Sequence, residues 1–476
     1  MTERIISIYD TTLRDGAQTV GISLSIQDKL NIARILDSLK IDYIEGGWPG
    51  SNPKDEQFFS EVRTLGLKHS KIAAFGSTRR KGYKCSDDQI VQALVDSKAD
   101  VLTIVAKTWD FQVTKALGME LDENLLLIND TVAYLKDLGF RVFLDAEHLF
   151  DGYKSNPEYT LRCLDTACKA GVDMLVLCDT NGGTLPAEVS RITSDIKNRF
   201  STEVGAHFHN DTGVAVANSI AAVEAGASSV QGTINGYGER CGNCDLTTFI
   251  PNLVLKMGHL CSSKDVLQHI SEVSRFVSEI ANLPHVENRP FVGQNAFAHK
   301  GGIHVSALQK DTRTYEHIDP ALVGNKRMVM ISELSGKSNV EFKAKELGID
   351  ISGDINLSRA VLEKIKGLEE KGFQFEAAEG SFELLLREAT GEYRPFFRLL
   401  GFRLITEMDV QGGLECEATI KVQVDGQVEH TAANGNGPVD ALNNALRKAL
   451  LKFFPEISQI YLTDYKVRVL DEDSGT

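Results

Sequence analysis

The chain has 476 residues, a formal net charge of −15 at pH 7 and 42% hydrophobic residues, enough for two or three domains around a large core. Acidic and basic residues are mixed without a basic stripe, so nucleic acid and anionic membranes are poor partners, and no apolar run reaches the roughly 20 residues of a membrane span. Cysteines in apolar settings (Cys163, Cys168, Cys178) and an N-terminus without a signal-peptide pattern point to a reducing, cytoplasmic location.

Over the first ~250 residues, eight β-branched runs alternate with helical patterns. The runs are Ile5–Tyr9, Tyr43–Glu45, Lys71–Phe75, Val101–Val105, Arg141–Asp145, Met174–Cys178, Glu203–Phe208 and Ser229–Thr233. Amphipathic stretches such as Asp28–Leu39 and Asn124–Leu138 lie between them. Eight βα units at this spacing predict an α/β fold, a (β/α)8 TIM barrel over residues 1–275. The alternative is a doubly wound open sheet. It carries fewer strands and a Gly-rich phosphate turn after the first, where this chain has Thr11-Thr12-Leu13-Arg14-Asp15-Gly16.

Residues 276–394 predict helical linker subdomains with Gly-rich turns, among them Phe297-Ala298-His299-Lys300-Gly301-Gly302-Ile303-His304. Ser335-Gly336-Lys337-Ser338 resembles the end of a P-loop but lacks its upstream glycine and strand, and reads as a helix-start turn. Cys241-Gly242-Asn243-Cys244 is a lone CxxC and reads as incidental. From 395 to 476 the pattern is α+β, of regulatory type. Strands are expected at Phe396–Glu407, Leu414–Val424 and Gln427–Ala433, a helix at Val439–Phe453, and one more strand at Tyr461–Leu470, which leaves this region looking incomplete.

In a barrel, reactive groups collect just past the strand C-termini. Arg14 and Asp15 follow the first run, Glu45 ends the second, Glu147-His148 follow the fifth, Asp179-Thr180-Asn181 the sixth, and Asn235 to Asn243 the eighth. His207 and His209 end the seventh, two apart on a strand and so on one face. With Asp15 they make a two-His, one-carboxylate set that leaves open positions on a divalent metal; the alternative is a pair of core histidines that satisfy each other. Such a metal can chelate a 2-oxo acid and polarise its ketone. Arg14 can stabilise the oxyanion formed on attack, or else form a structural ion pair with Asp15 or Glu45. Glu147 can orient or activate a base, or else be a surface carboxylate. Arg79-Arg80-Lys81 and Lys84 are candidates for the phosphates of a coenzyme, or else a solvated basic loop.

Three segments carry a resemblance: Asp10-Thr11-Thr12-Leu13-Arg14-Asp15-Gly16-Ala17-Gln18, His207-Phe208-His209-Asn210-Asp211, and Gly236-Tyr237-Gly238-Glu239-Arg240-Cys241-Gly242-Asn243. In this order and spacing, over nearly the whole chain, they resemble the 2-isopropylmalate, homocitrate and citramalate synthase family. Gly47-Trp48-Pro49 and Asp145-Ala146-Glu147-His148 look most like its citramalate branch. The resemblance implies a Claisen condensation in isoleucine biosynthesis: acetyl-CoA loses a methyl proton, its enolate attacks pyruvate, and thioester hydrolysis releases (R)-citramalate and CoA. It implies Asp15, His207, His209 and Asn243 as ligands of a divalent metal (Mn2+, Mg2+, Zn2+ or Co2+). It implies Arg14 and Thr180 as substrate contacts, with Glu45 placed beside them, and Glu147, His304 and Tyr315 as catalytic groups beside Arg14; Arg79 and Arg80, from their place after the third run, are the candidates for CoA. His304 and Tyr315 are implied to reach the barrel of a partner subunit, making a homodimer with shared active sites. Ala17 and Val305-Ser306 depart from the usual residues of relatives.

Rival readings are a 2-isopropylmalate synthase using 2-oxoisovalerate, a hydroxymethylglutaryl-CoA-type lyase, an Fe(II) oxygenase, and a non-catalytic amino-acid sensor. In the family the C-terminal domain pairs two βββα units around an end-product amino acid, usually isoleucine in citramalate synthases. Only one unit is recognisable here, so insensitivity to isoleucine is the expectation.

Overall fold

Eight parallel strands close on themselves: β1 (Ser7–Asp10), β2 (Tyr43–Gly47), β3 (Lys71–Ser77), β4 (Val101–Lys107), β5 (Arg141–Glu147), β6 (Met174–Asp179), β7 (Glu203–Phe208) and β8 (Ser229–Gly232). β1 pairs with β2 on one side and with β8 on the other, and that second pairing completes the ring. The computed structural model describes residues 4–331, 337–349, 351, 355–371, 373, 375, 378–408 and 413–462. The alternation of side chains divides the core in two. Tyr9, Tyr43, Ala73, Val101, Phe143, Met174, Val176 and Cys178 fill the barrel interior, while Ile8, Ile44, Ile72 and Leu102 face outward into the helical layer. The TIM barrel expected from the sequence is the fold observed, and the open-sheet alternative falls.

Helix Ile26–Ser38 shows how the outer layer is specified. Ser25 and Asp28 form a capping box at its start, and Leu30, Ile32, Ala33 and Leu36 supply the buried stripe. Leu36 is fully buried, so Leu36→Ala costs about 2–5 kcal/mol. At the helix end, Asp37 accepts backbone N–H bonds from Lys68 (2.9 Å), His69 (2.8 Å) and Ser70 (2.7 Å), which fixes the entry to β3.

The boundary expected for the barrel lies at residue 275. Helix Ile270–Ile280 spans that position and is bonded to the loop after β8: Asn235 Nδ2 donates to Ser274 O at 2.8 Å and to Ser278 Oγ at 2.9 Å. One compact unit comprises Met1–His299 with Lys310–Met328, and a second comprises Lys300–Gln309 with Val329–Thr476. In the second unit, helices Lys337–Glu346, Ile355–Glu369 and Glu379–Ala389 bury Val340, Ala344, Val361, Ile365, Phe382 and Leu386. An antiparallel sheet follows, of β9 (Arg398–Met408), β10 (Leu414–Val424) and β11 (Gln427–Gly435), in that order. Helix Pro438–Leu450 covers one sheet face through Ala441, Ala445 and Ala449, whose small side chains let it lie against Ala418, Ile420 and Val422. The three strands and the helix correspond to those expected. Of the further strand expected at Tyr461–Leu470, Tyr461 and Leu462 are exposed and outside any strand, and 463–470 lie outside the described residues. Ser335 and Gly336 also lie outside them, and Lys337 opens a helix.

Candidate active site and metal centre

The strand ends converge as the barrel reading requires. His207 and His209 project side by side from β7, and their Nε2 atoms stand 3.4 Å apart. Asp15 sits on the turn after β1, where Arg14 N and Gly16 N both donate to Thr11 O. Asp15 Oδ2 lies 3.4 Å from His207 Nε2 and 3.9 Å from His209 Nε2. Ligands held about 2.0–2.2 Å from one ion in a tetrahedral array stand roughly 3.4 Å apart, so the three donors fit a shared divalent metal. Asn243 arrives beside His209 through a backbone bridge. Its approach depends on Gly242, which has φ +86°, and where a Cβ would lie 2.0 Å from Gly236 O. Asp15 Oδ1, His209 Nδ1 and both side-chain polar atoms of Asn243 are buried with no hydrogen-bond partner among the described residues. Orphaned buried acceptors are costly, and a spare carboxylate oxygen on Asp15 beside the facing Nε2 atoms suits a bound cation, whereas His209 Nδ1 lies on the far edge of its ring.

Electrostatics agree. Burial raises the Asp15 carboxyl, but Arg14, then His207 and His209, overcome this and hold it well below the usual carboxylate range. His209 is pushed down to about 4 by burial and by its neighbour His207, so its ring is neutral at pH 7, the form that binds metal.

A cavity of about 510 Å³ opens beside this cluster, lined by Arg14, Asp15, Glu147, Thr180 and His209 on the polar side and by Trp48, Phe75, Val105 and Leu127 on the apolar side. Arg14 stacks over Phe75, with Cζ 4.0 Å from the ring centre, and its Nε donates to Glu45 Oε2 at 2.6 Å. Glu45 is fully buried and also accepts from Tyr9 Oη at 2.8 Å. It therefore stands behind Arg14 and holds it, in a position outside the cavity lining. Thr180 Oγ1 accepts from His148 N at 2.9 Å, which leaves its own proton to donate into the cavity. Arg79, Arg80 and Lys81 also line the cavity, but each is paired, with Asp130, Asp88 and Glu123 respectively. His304 is an exposed residue of the second unit, and Tyr315 an exposed residue of the first.

Three features escaped the sequence reading. Lys107, the last residue of β4, forms an ion pair with Glu147, the last residue of β5, and both line the cavity. Asp211 receives Arg240 Nε at 2.8 Å while Arg240 Nη2 donates to Thr180 O at 2.7 Å, tying the loops after β6, β7 and β8. Gln231 and Asp145 lie beneath His207. Alternation along each strand would have turned Asp145 and Lys107 inward; nothing in the chain states their cross-strand partners.

Residues 5–277 match the HMGL-like family, 291–372 the homocitrate synthase post-HMGL domain-like family, and 376–476 the LeuA allosteric (dimerisation) domain. The chain is 52% identical to the (R)-citramalate synthase of Synechocystis sp., with 98% of this chain and 88% of that protein covered. It is 51% identical to that of Geobacter sulfurreducens, with 99% and 90% covered. The 2-isopropylmalate synthase of Methanocaldococcus jannaschii is more distant, at 32% over 94% of this chain and 83% of that protein. The HMG-CoA lyase of Acenitobacter baumannii superposes with a TM-score of 0.51 at 20% identity, over 62% of this chain and 96% of that one, a likeness of fold. On its full-length similarity to these synthases and its HMGL-like barrel, the chain belongs to the 2-isopropylmalate, homocitrate and citramalate synthase family, in the branch of the (R)-citramalate synthases.

Proposed function

We propose that this site condenses acetyl-CoA with pyruvate and hydrolyses the thioester, giving (R)-citramalate and CoA, a step toward isoleucine. The observation that carries the reading is the convergence of Arg14, Asp15, His207 and His209 at one end of a cavity whose wall also holds Glu147 and Thr180. Asp15, His207, His209 and Asn243 would hold a divalent ion, which would supply Lewis acidity toward the 2-oxo group. Arg14, fixed between Glu45 and Phe75, keeps N–H donors for the oxyanion that forms as the ketone is attacked. The Thr180 hydroxyl donates to the oxo acid, and Phe75 and Val105 offer apolar surface for a small methyl group. Glu147, paired with Lys107, is set to orient the base. In this reading that base is His304, assisted by Tyr315, both supplied by the partner subunit of a homodimer; the dimerisation-domain match over 376–476 supports the dimer. Arg79 and Arg80 face the CoA phosphates. A cytoplasmic location rests on eight free cysteines. No helix among the described residues is long and apolar enough to cross a membrane.

CoA release from acetyl-CoA, measured with a panel of 2-oxo acids with and without a chelator, tests the function. Pyruvate-dependent release that the chelator abolishes is expected. Equal or greater kcat/KM with 2-oxoisovalerate would move the chain to the isopropylmalate reading.

A further inference from the structure

His207 is supported from below. Its Nδ1 lies 2.9 Å from Gln231 Oε1, and Gln231 Nε2 lies 3.0 Å from Asp145 Oδ1. All three side chains are buried, on β7, β8 and β5, and His207 and Gln231 are direct neighbours in the β7–β8 register. The lower bond fixes the direction of the upper one. Asp145 Oδ1 accepts, so Gln231 turns its NH2 group down and its carbonyl oxygen up. A carbonyl oxygen accepts only, so His207 Nδ1 carries a proton, and Nε2 is the nitrogen whose lone pair a metal takes when the ring is neutral. Nε2 is the atom that stands 3.4 Å from both Asp15 Oδ2 and His209 Nε2. His209 has no such support, since its Nδ1 is buried without a partner among the described residues.

We propose that Gln231, itself oriented by Asp145, is the positioning residue that sets the tautomer and ring plane of His207 and so presents Nε2 as a metal ligand. The inference rests on the reading of the cluster as a metal centre. It assigns the two histidines unequal parts: His207 is organised before an ion arrives, whereas His209 is held by less. Partners that orient a ligating histidine change metal affinity by about 10- to 100-fold when removed.

The test is direct metal binding, measured on the full-length enzyme by competition between Mn2+ or Co2+ and a chelating dye. Gln231→Leu keeps the volume and removes the acceptor, and an affinity lower by about 10- to 100-fold is expected in the folded variant, with a lower thermal midpoint because His207 Nδ1 and Asp145 Oδ1 both lose a partner. Gln231→Glu combined with Asp145→Asn reverses the lower bond and keeps an acceptor opposite Nδ1, so near-native affinity is expected. Should Gln231→Leu fail to fold, the double variant decides: a folded double variant that has lost affinity overturns the proposal. Independently, 15N spectra of histidine-labelled, Zn2+-loaded wild-type enzyme should show His207 with a proton on Nδ1. Metal on Nδ1, or native affinity in Gln231→Leu, overturns it. If the wild-type chain binds no divalent metal at all, the reading of the centre fails first.

Discussion

Replacing Arg14 by lysine separates what its charge does from what its shape does. The guanidinium is held by a 2.6 Å bond to Glu45 and by stacking 4.0 Å above Phe75, and its remaining donors point to the cavity. One ammonium cannot bond Glu45, cover the ring and reach the substrate together. Stacking is worth about 0.5–2 kcal/mol and a charge-assisted bond about 1.5–3 kcal/mol. Loss of the stack and of one such bond therefore comes to about 2–5 kcal/mol, or roughly 30- to 5,000-fold in kcat/KM at 1.36 kcal/mol per decade. The metal site should respond differently. Arg14 Nη1 is 3.7 Å from Asp15 Oδ2, and at that distance a unit charge pair is worth about 4–5 kcal/mol at an effective dielectric of 20. Lysine keeps this charge, so metal affinity stays near native. Arg14→Gln removes a cation from beside the ion site, so it should bind metal as tightly or more so while turning over less than the lysine variant. The assay is CoA release at saturating acetyl-CoA with pyruvate varied, beside a dye titration for metal. Arg14→Lys with kcat/KM within threefold of native would refute the argument, because charge alone would then suffice.

Asp15→Ala and His209→Ala should each lose bound metal and turnover while circular dichroism shows the barrel intact; each removes a donor behind a Lewis-acid contribution of several kcal/mol, and activity in metal-free His209→Ala would sink the assignment. Pyruvate should be preferred over 2-oxoisovalerate, since two added methyl groups against Phe75 and Val105 are worth about 1–3 kcal/mol each; steady-state kcat/KM for both acids decides it. Arg79→Ala with Arg80→Ala should raise the KM for acetyl-CoA and leave that for pyruvate unchanged, whereas no change in either would mean that Asp130 and Asp88 already occupy these cations. The Asp37 carboxyl is lowered: burial raises it, but the N–H bonds from Lys68, Ser70 and His69 overcome that. Its contribution is thus present above the unfolded carboxylate pKa and is lost as pH falls through the lower folded value. Asp37→Asn should destabilise by about 1–2 kcal/mol at pH 7, allowing for partial exposure, with the gap in urea midpoints closing as the pH drops below 4.

The barrel was legible because its strands repeat with period two and are apolar on both faces, as at Ile44 beside Tyr43 and Ile72 beside Ala73. The placement of Asp15, His207 and His209 followed from strand ends alone. What could not be read was the offset between neighbouring strands. Lys107 meets Glu147, and His207 meets Gln231, because those pairs share a register, and no pattern within one strand specifies its alignment to the next. Glu45 illustrates the same limit: its place at the end of β2 was visible, but the two bonds it accepts come from the neighbouring strand β1, at Tyr9, and from the turn after it, at Arg14. Ile270–Ile280, which spans the expected boundary at 275, reads as an ordinary amphipathic helix, and its attachment through Ser274 and Ser278 to Asn235 is a matter of tertiary structure.

Closure of the ring between β1 and β8 has a kinetic side. The residues proposed to hold an ion are divided between the two ends of the barrel sequence, Asp15 after the first strand and His207, His209 and Asn243 from the seventh strand onward. A chain emerging from the ribosome has no complete donor set until its last strand has found its first. Added metal should then leave the early phases of refolding unchanged and act only on the final one. It should also slow unfolding, because free ion at a hundred times its dissociation constant adds about 2.7 kcal/mol to the closed state alone. Metal held in the proposed centre would thus act as a latch on the pairing of the barrel's first strand with its last.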